Sequence, residues 1–127
     1  MTHPRLSLSA VVLDAPDASE LADFYRRLLG WEIKVDEGDW VMLRRPDDGT
    51  SLSFQTEEFY VRPVWPGAEG EQLMMLHLDI EVDDLEEAVA FALGVGAEEA
   101  EFQPQETVRV MLDPAGHPFC LYLDTSD

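Results

Sequence analysis

The sequence is poor in cysteine, histidine and basic residues. Its 127 residues include one cysteine, three histidines and eight Lys and Arg against 27 Asp and Glu, which gives a formal net charge of −19. A single cysteine, Cys120, excludes an intrachain disulfide, so we expect a reducing, cytoplasmic compartment. No apolar run approaches the ~20 residues of a membrane helix, and no apolar stretch near the start indicates a signal peptide. We therefore expect no membrane association.

Basic residues are scarcest in the second half. Between Val64 and Asp127 the only basic residue is Arg109, against fifteen acids. Such a surface repels phosphate backbones, so we expect no nucleic-acid partner. It attracts a cationic ligand or partner, although an acidic surface that only improves solubility explains the same composition.

The first half predicts a strand, a helix and three further strands. Alternating or apolar runs predict strands over residues 6–14, 31–35, 40–44 and 51–55. Asp17 and Glu20 have the spacing of a capping box, apolar residues then recur at helical spacing, and Gly30 provides a stop. This half forms module one, over about residues 6–56.

The second half predicts the same order after a connector. The connector, about residues 57–73, contains two prolines and two glycines that exclude regular structure over most of it. Module two, about residues 74–124, has a predicted strand over 75–82 and a helix that Asp84 opens and Gly94 or Gly96 ends. Strands are predicted over 97–102, 107–112 and 118–123.

The two halves coincide at one offset of 67 residues. Helix caps, predicted core aromatics, hairpin glycines and first-strand residues match, in the pairs Asp17/Asp84, Phe24/Phe91, Gly49/Gly116 and Ala10/His77. A fixed period of this kind indicates a duplicated unit. We predict one α+β domain over residues 1–127, built from two tandem βαβββ modules whose curved sheet surrounds a cleft.

Several motifs resemble one superfamily. They are Phe24-Tyr25 with Leu29-Gly30-Trp31, Phe54-Gln55, Trp65-Pro66, His77-Leu78-Asp79, and Asp113-Pro114-Ala115-Gly116-His117-Pro118-Phe119. Together they resemble the vicinal oxygen chelate superfamily of glyoxalases, bleomycin-resistance proteins and extradiol dioxygenases, and within it the glyoxalase-like domain branch. The resemblance runs from Leu6 to Leu123 and implies the two-module fold.

The resemblance also implies four metal-ligand positions. In metal-using relatives one lies on the first and one on the last strand of each module, and here Ala10, Ser53, His77 and Cys120 occupy them. Ala10 has no donor atom and Ser53 is a poor ligand, so we expect no metal and no cofactor. If a divalent metal binds, His77 and Cys120 would hold it, with Gln55 or Asp79 completing the set.

Candidate site residues follow from strand faces and aromatic content. The predicted ligand-binding residues are Trp40, Gln55, Trp65, His77, Asp79, Cys120 and Tyr122, because pockets combine apolar walls with a few polar groups. His77 and Cys120 are the catalytic candidates. Alternatives stay open: His77 and Asp79 satisfy each other, Cys120 is a small buried hydrophobe, and Trp40 belongs to the core. For His117, a role in turn geometry is expected.

Two functional hypotheses follow. The first is a metal-independent, small-molecule-binding protein that sequesters a cationic or antibiotic-like ligand, as the bleomycin-resistance resemblance implies. The alternative is a metal-dependent lyase, isomerase or dioxygenase of the glyoxalase type, with a site around His77 and Cys120. Relatives often dimerise, so the resemblance also implies a homodimer.

Overall fold

The computed structural model describes residues 3–124, which divide into two compact units. The first unit ends at Glu58 and the second begins at Phe59. Residues 1–2 and 125–127, at the ends of the domain predicted over 1–127, lie outside the described residues. Over residues 3–124, neither length nor apolar content would let any helix cross a membrane.

Module one lies in the first unit. It comprises β1 (Ala10–Ala15), α1 (Ala18–Leu29), β2 (Glu32–Asp36), β3 (Trp40–Arg44) and β4 (Ser51–Thr56). The sheet order is β1-β4-β3-β2, with β1 parallel to β4. The first strand begins later than predicted, because Leu6 and Leu8 are 76% and 73% exposed and no residue of 3–124 buries the apolar side of their alternation.

Helix α1 is fixed at both ends and buried along one side. Asp17 Oδ1 accepts two backbone N–H groups of the first turn, and Gly30 takes a left-handed conformation (φ 72°) at the end. Phe24 and Tyr25 are fully buried, and the Tyr25 ring stacks on Phe54 of β4 with centroids 5.7 Å apart. Aromatic burial of this kind dominates core energetics.

Module two lies in the second unit. It comprises β5 (Leu78–Glu81), α2 (Leu85–Gly94), β6 (Glu98–Glu99), β7 (Val108–Leu112) and β8 (Pro118–Tyr122). The sheet order is β5-β8-β7-β6, with β5 parallel to β8. The element order and sheet order of module one therefore recur, and the prediction of two βαβββ modules is confirmed.

The register between the first and last strands of each module also repeats. Parallel partners are 41 residues apart in both modules, as in Ala10 with Ser51 and Leu78 with Phe119. The adjacent hairpins differ by one residue: Met42 pairs with Ser53, eleven residues on, whereas Val110 pairs with Cys120, ten residues on. The 67-residue offset therefore holds for β1, β4, β5 and β8 and shifts by one residue at β7.

The matched hairpin glycines differ in backbone conformation. Gly116 has a positive φ of 93°, but Gly49 does not, and Asp48 (φ 58°) takes the left-handed position in module one. The tighter hairpin needs the glycine itself at the position where only glycine is unstrained. In the longer hairpin an Asp suffices, because Asp tolerates this conformation better than most residues.

The predicted core role of Phe91 is wrong. Phe24 is fully buried, but Phe91, 67 residues later, is 54% exposed. Where module one has Tyr25, module two has the buried Ala92, which faces the sheet. Phe91 precedes it by about 100° around the helix and is left at the side of α2.

Candidate functional site

Each sheet has one side covered by its own helix and one side that is not, which we call the helix-free face. In module two, Phe119 and Leu121 are buried on the helix side of β8, so Cys120 and Tyr122 lie on the helix-free face. Direct strand partners share a face, which adds Asp79 beside Cys120 and Glu81 beside Tyr122.

Three predicted residues form a cluster in module two. His77 Nε2 lies 3.1 Å from Asp79 Oδ1, and both side chains are well exposed, at 40% and 60%. The potential ligand atoms of His77, Asp79 and Cys120 all lie within 4.8 Å of one another. The sequence predicted a shared strand face for His77 and Asp79 and left open whether Cys120 lies near them. In the structure the three side chains lie close together, with His77 immediately before β5.

The thiol of Cys120 is held in its neutral form. Burial raises its pKa above the ordinary value, and the negative charge of Asp79 and a hydrogen bond with that carboxylate raise it further. A reactive cysteine needs a lowered pKa and a positive neighbour. The histidine of the cluster is paired with Asp79, so the arrangement favours binding over nucleophilic attack.

Tyr122 forms a second row on the same face. It is the register partner of Glu81 on β5 and of Val108 on β7. Tyr122 is half-buried, and Glu81 is exposed. A phenol ring therefore lies beside a carboxylate, one strand pleat away from the His77–Asp79–Cys120 cluster.

Module one carries a matching row on its own helix-free face. Trp40 and Asp14 are the register partners of Gln55 on either side. Gln55 Nε2 donates a hydrogen bond to Asp14 Oδ1 at 2.6 Å. Trp40 and Gln55, both predicted as site residues, therefore lie together with a carboxylate. Gln55 belongs to the first unit, and within the second unit the third potential ligand beside His77 and Cys120 is Asp79.

The four positions that hold a metal in related proteins do not fit one here. Ala10 carries no donor atom. Ser53 is fully buried, and its neutral hydroxyl has no hydrogen-bond partner among residues 3–124. A divalent ion needs three or four nitrogen, oxygen or sulfur ligands. Only His77 and Cys120 of this set are good donors, so these four positions do not form a complete metal site.

Trp65 occupies a different place from the other predicted residues. It lies in the connector, beside the isolated bridge between Val64 and Leu73. Its ring packs against Phe102, with centroids 5.7 Å apart. Trp65 therefore joins the connector to the segment after β6, outside the strand rows that carry Asp79, Cys120 and Tyr122.

One polar network was not predicted. Asp113 is 1% exposed, and its carboxylate accepts the backbone N–H groups of Ala115 and His117 and lies 2.8 Å from His117 Nδ1. Tyr60 of the connector donates to the Ala115 carbonyl at 2.9 Å and lies 3.3 Å from His117 Nε2. The turn role expected for His117 fits this arrangement. No sequence signal marked Tyr60, whose partners are more than fifty residues away.

Comparison with known proteins supports the fold. In sequence, no curated protein matches the chain significantly. A glyoxalase/bleomycin resistance protein/dioxygenase family enzyme from Burkholderia phytofirmans PsJN has a TM-score of 0.71 at 19% identity, over 93% of this chain and 98% of that one. A glyoxalase family protein from Enterococcus faecalis has a TM-score of 0.65 at 24% identity, over 91% and 96%. TnmS3, an antibiotic binding protein from Streptomyces sp. CB03234, has a TM-score of 0.63 at 18% identity, over 97% and 100%.

These identities are low, so the solved structures establish the fold and no activity. The sequence match is more direct, because the model of the glyoxalase-like domain family covers residues 10–122. That span includes both helices and every strand of residues 3–124. The chain therefore belongs to the glyoxalase-like domain family, within the vicinal oxygen chelate superfamily.

Proposed function

We propose that this protein binds a cationic small molecule without a metal, using the helix-free face of module two. The observation that carries the proposal is the juxtaposition of carboxylates and an aromatic ring on that face. Asp79 and Glu81 lie beside Cys120 and Tyr122 in adjacent strands. A carboxylate attracts an organic cation, and the face of an aromatic ring adds a cation–π contact.

The surrounding charge favours the same class of ligand. The second unit contains two basic residues, Arg62 and Arg109, within a chain whose net charge is −19. Arg62 is directed to the Pro114 carbonyl and Glu98, and Arg109 donates to backbone carbonyls. A surface of one sign raises the local concentration of oppositely charged ligands.

A structural neighbour is consistent with this proposal. TnmS3 is an antibiotic binding protein. In the present chain, the neutral thiol of Cys120 and the absence of donors at Ala10 argue for binding over catalysis. The function we propose is therefore to sequester an antibiotic-like cation without transforming it. A cytoplasmic homodimer stays a prediction.

The test is a thermal-shift screen of metal-free protein with matched aromatic compounds. Each scaffold is presented as an amine, as its neutral N-acetyl derivative and as a carboxylic acid. A ligand that binds only the folded state raises the Tm, by an amount that corresponds to about 2.7 kcal/mol at a hundredfold excess over Kd. We expect amines to raise the Tm and carboxylic acids to leave it unchanged. Equal shifts for all three forms, or no shift for any amine, would contradict the proposal.

The enzymatic alternative has one observation in its favour. His77, Asp79 and Cys120 offer nitrogen, oxygen and sulfur atoms within 4.8 Å of one another, a mixture that zinc accepts. A metal-dependent lyase, isomerase or dioxygenase would require an ion at this cluster. Elemental analysis of the purified protein decides, with His77→Ala compared against His3→Ala, which changes an exposed histidine elsewhere. A stoichiometric divalent ion lost only in His77→Ala would overturn the metal-independent proposal.

A further inference from the structure

A cavity of about 370 Å³ in module one gathers basic side chains in an otherwise acidic protein. Lys34, Arg44 and Arg45 all line it, which is three of the eight Lys and Arg in the chain. The one acidic residue of its wall is Asp48. With 27 Asp and Glu available, a wall with three basic residues and one acidic residue departs sharply from the average surface.

Of the three cations, one forms an ion pair and two do not, within the described part of the chain. Arg45 pairs with Asp47, Nε to Oδ1 at 2.6 Å, and its guanidinium lies over the Trp31 ring. Lys34 and Arg44 form no ion pair within residues 3–124. Both side chains are exposed. Their charges are therefore available to an anion that enters the cavity.

Another part of the cavity wall is held in place by hydrogen bonds. It consists of Ser7, Leu8 and Ser9, just before β1. Thr50 Oγ1 donates to the Leu8 carbonyl at 2.9 Å, and Ser51 N donates to the Ser9 carbonyl at 3.0 Å. These bonds fasten the segment to the start of β4, so the cavity has a defined wall.

We propose that this cavity binds the phosphate group of a small phosphate ester. Arginine presents a fork of N–H donors that matches phosphate oxygens, and Lys34 adds a point charge. A volume of about 370 Å³ falls within the range of small-molecule pockets, so it leaves room for an organic substituent. The site is separate from the cation-binding face proposed for module two and does not depend on it.

The net charge of −19 does not prevent such binding. At 0.15 M ionic strength, exposed charges are largely screened beyond about 8 Å. Direct contacts with Lys34 and Arg44 act within hydrogen-bonding distance, where screening is weak. Acidic residues also lie nearby, since Asp48 lines the cavity, Asp47 pairs with Arg45 and Glu32 is the strand partner of Arg44. Binding of an anion therefore relies on its direct contacts with Lys34 and Arg44.

The experiment is a calorimetric titration of the full chain at fixed ionic strength, with inorganic phosphate and with phenyl phosphate as separate probes. We expect saturable binding that weakens about tenfold or more in Arg44→Gln and in Lys34→Gln, because each loses a charge-assisted contact. The control Arg27→Gln removes the same charge from α1, where Arg27 pairs with Asp23, and should change Kd by less than about twofold.

Each outcome decides the proposal. No saturation at millimolar concentrations of either probe would overturn it, as would equal weakening in Arg27→Gln, which indicates a general charge effect. Tighter binding of phenyl phosphate than of inorganic phosphate supports an ester site. Tighter binding of inorganic phosphate supports the phosphate contacts but overturns the ester assignment. Because Lys34 and Arg44 are exposed, the variants should keep the wild-type Tm, which is measured alongside.

Discussion

The two modules pair their first and last strands in the same register, but different side chains pack between the sheet and the helix in each module. Module one buries Phe24 and Tyr25 of α1 against its sheet, with Tyr25 stacked on Phe54. Module two buries Leu85 and Ala92 of α2 and leaves Phe91 more than half exposed. The same parallel pairing of the first and last strands therefore does not require an equally aromatic core.

On the helix-free faces, module two is the one with more ionisable side chains. At equivalent positions module one has Ala10, Val12 and Ser53, whereas module two has His77, Asp79 and Cys120. On the same face of module one, Trp40, Gln55 and Asp14 lie side by side in neighbouring strands. The two copies of a duplicated unit can therefore share one element order and parallel register, while one has a more aromatic core and the other has more ionisable side chains.

The difference between the two cores is tested most directly by Phe24→Ala and Phe91→Ala, which truncate the same position of the repeat. Phe24→Ala should cost about 3–5 kcal/mol, because it leaves a cavity in a packed core. Phe91→Ala should cost less than about 1 kcal/mol, because Phe91 is 54% exposed. Urea unfolding measures both. Similar losses for the two variants would contradict the difference between the cores.

The hairpins give the second comparison. Asp113→Asn should cost about 2–3 kcal/mol, because the buried carboxylate accepts two backbone N–H groups and contacts His117. Asp47→Asn, in the module-one hairpin, should have a much smaller effect, because Asp47 is exposed and solvent screens its pair with Arg45. Thermal unfolding of both variants gives the comparison. A larger loss for Asp47→Asn would show that the wrong hairpin has been assigned the structural carboxylate.

The third prediction concerns the chemistry of module two. Because burial and Asp79 raise the pKa of Cys120, its thiolate should form only at higher pH than in a free cysteine. The rate of alkylation by iodoacetamide, followed against pH, reports this. Asp79→Asn should move the profile to lower pH without restoring that of a free thiol, because burial remains. An unchanged profile in Asp79→Asn would remove Asp79 as a cause.

The smallest effect on stability is expected for a substitution on the exposed side of α1, Asp23→Asn. Hydrogen bonding and charge from Arg26, with a contribution from Arg27, lower the pKa of Asp23 below its ordinary value of 3.8. Asp23→Asn should cost about 0.3–0.5 kcal/mol at neutral pH, because the pairs are half-exposed and screened. A lowered pKa stabilises the fold above the unfolded value and loses this effect as the pH falls through the folded value. The difference from wild type in urea unfolding should therefore vanish in acid, and persistence there would contradict the ion-pair account.

The sequence was sufficient for the architecture because its signals are local. Capping by Asp17 and Asp84 and the stop at Gly30 each follow from neighbouring residues. Strand alternation likewise predicted a shared face for His77 and Asp79, but it did not determine how close Cys120 lies to them. The core role of Phe91 failed because helical spacing does not determine which residue of a helix turns fully toward the sheet. The different backbone conformations of Gly49 and Gly116 were not predictable, because a difference of one residue in hairpin length changes the conformation required.

Other features depend on contacts that no local pattern encodes. Tyr60 reaches His117 across 57 positions, through the path of the connector. The basic cavity needs Lys34, at the register shift between Ile33 and Val35, to meet Arg44 and the segment before β1. The adjacent pair Arg44-Arg45, in a chain with only eight basic residues, was the one available signal.

The helix-free face of module two is proposed to bind a cation without a metal. The most direct measurement is the Kd of metal-free protein for an aromatic amine and for its N-acetyl derivative, in wild type and in Glu81→Gln. We predict that the amine binds about tenfold or more tightly than the neutral derivative and that Glu81→Gln removes most of this preference, whereas the control Glu101→Gln keeps it. Equal affinity for the two compounds, or a preference that survives in Glu81→Gln, would contradict the account.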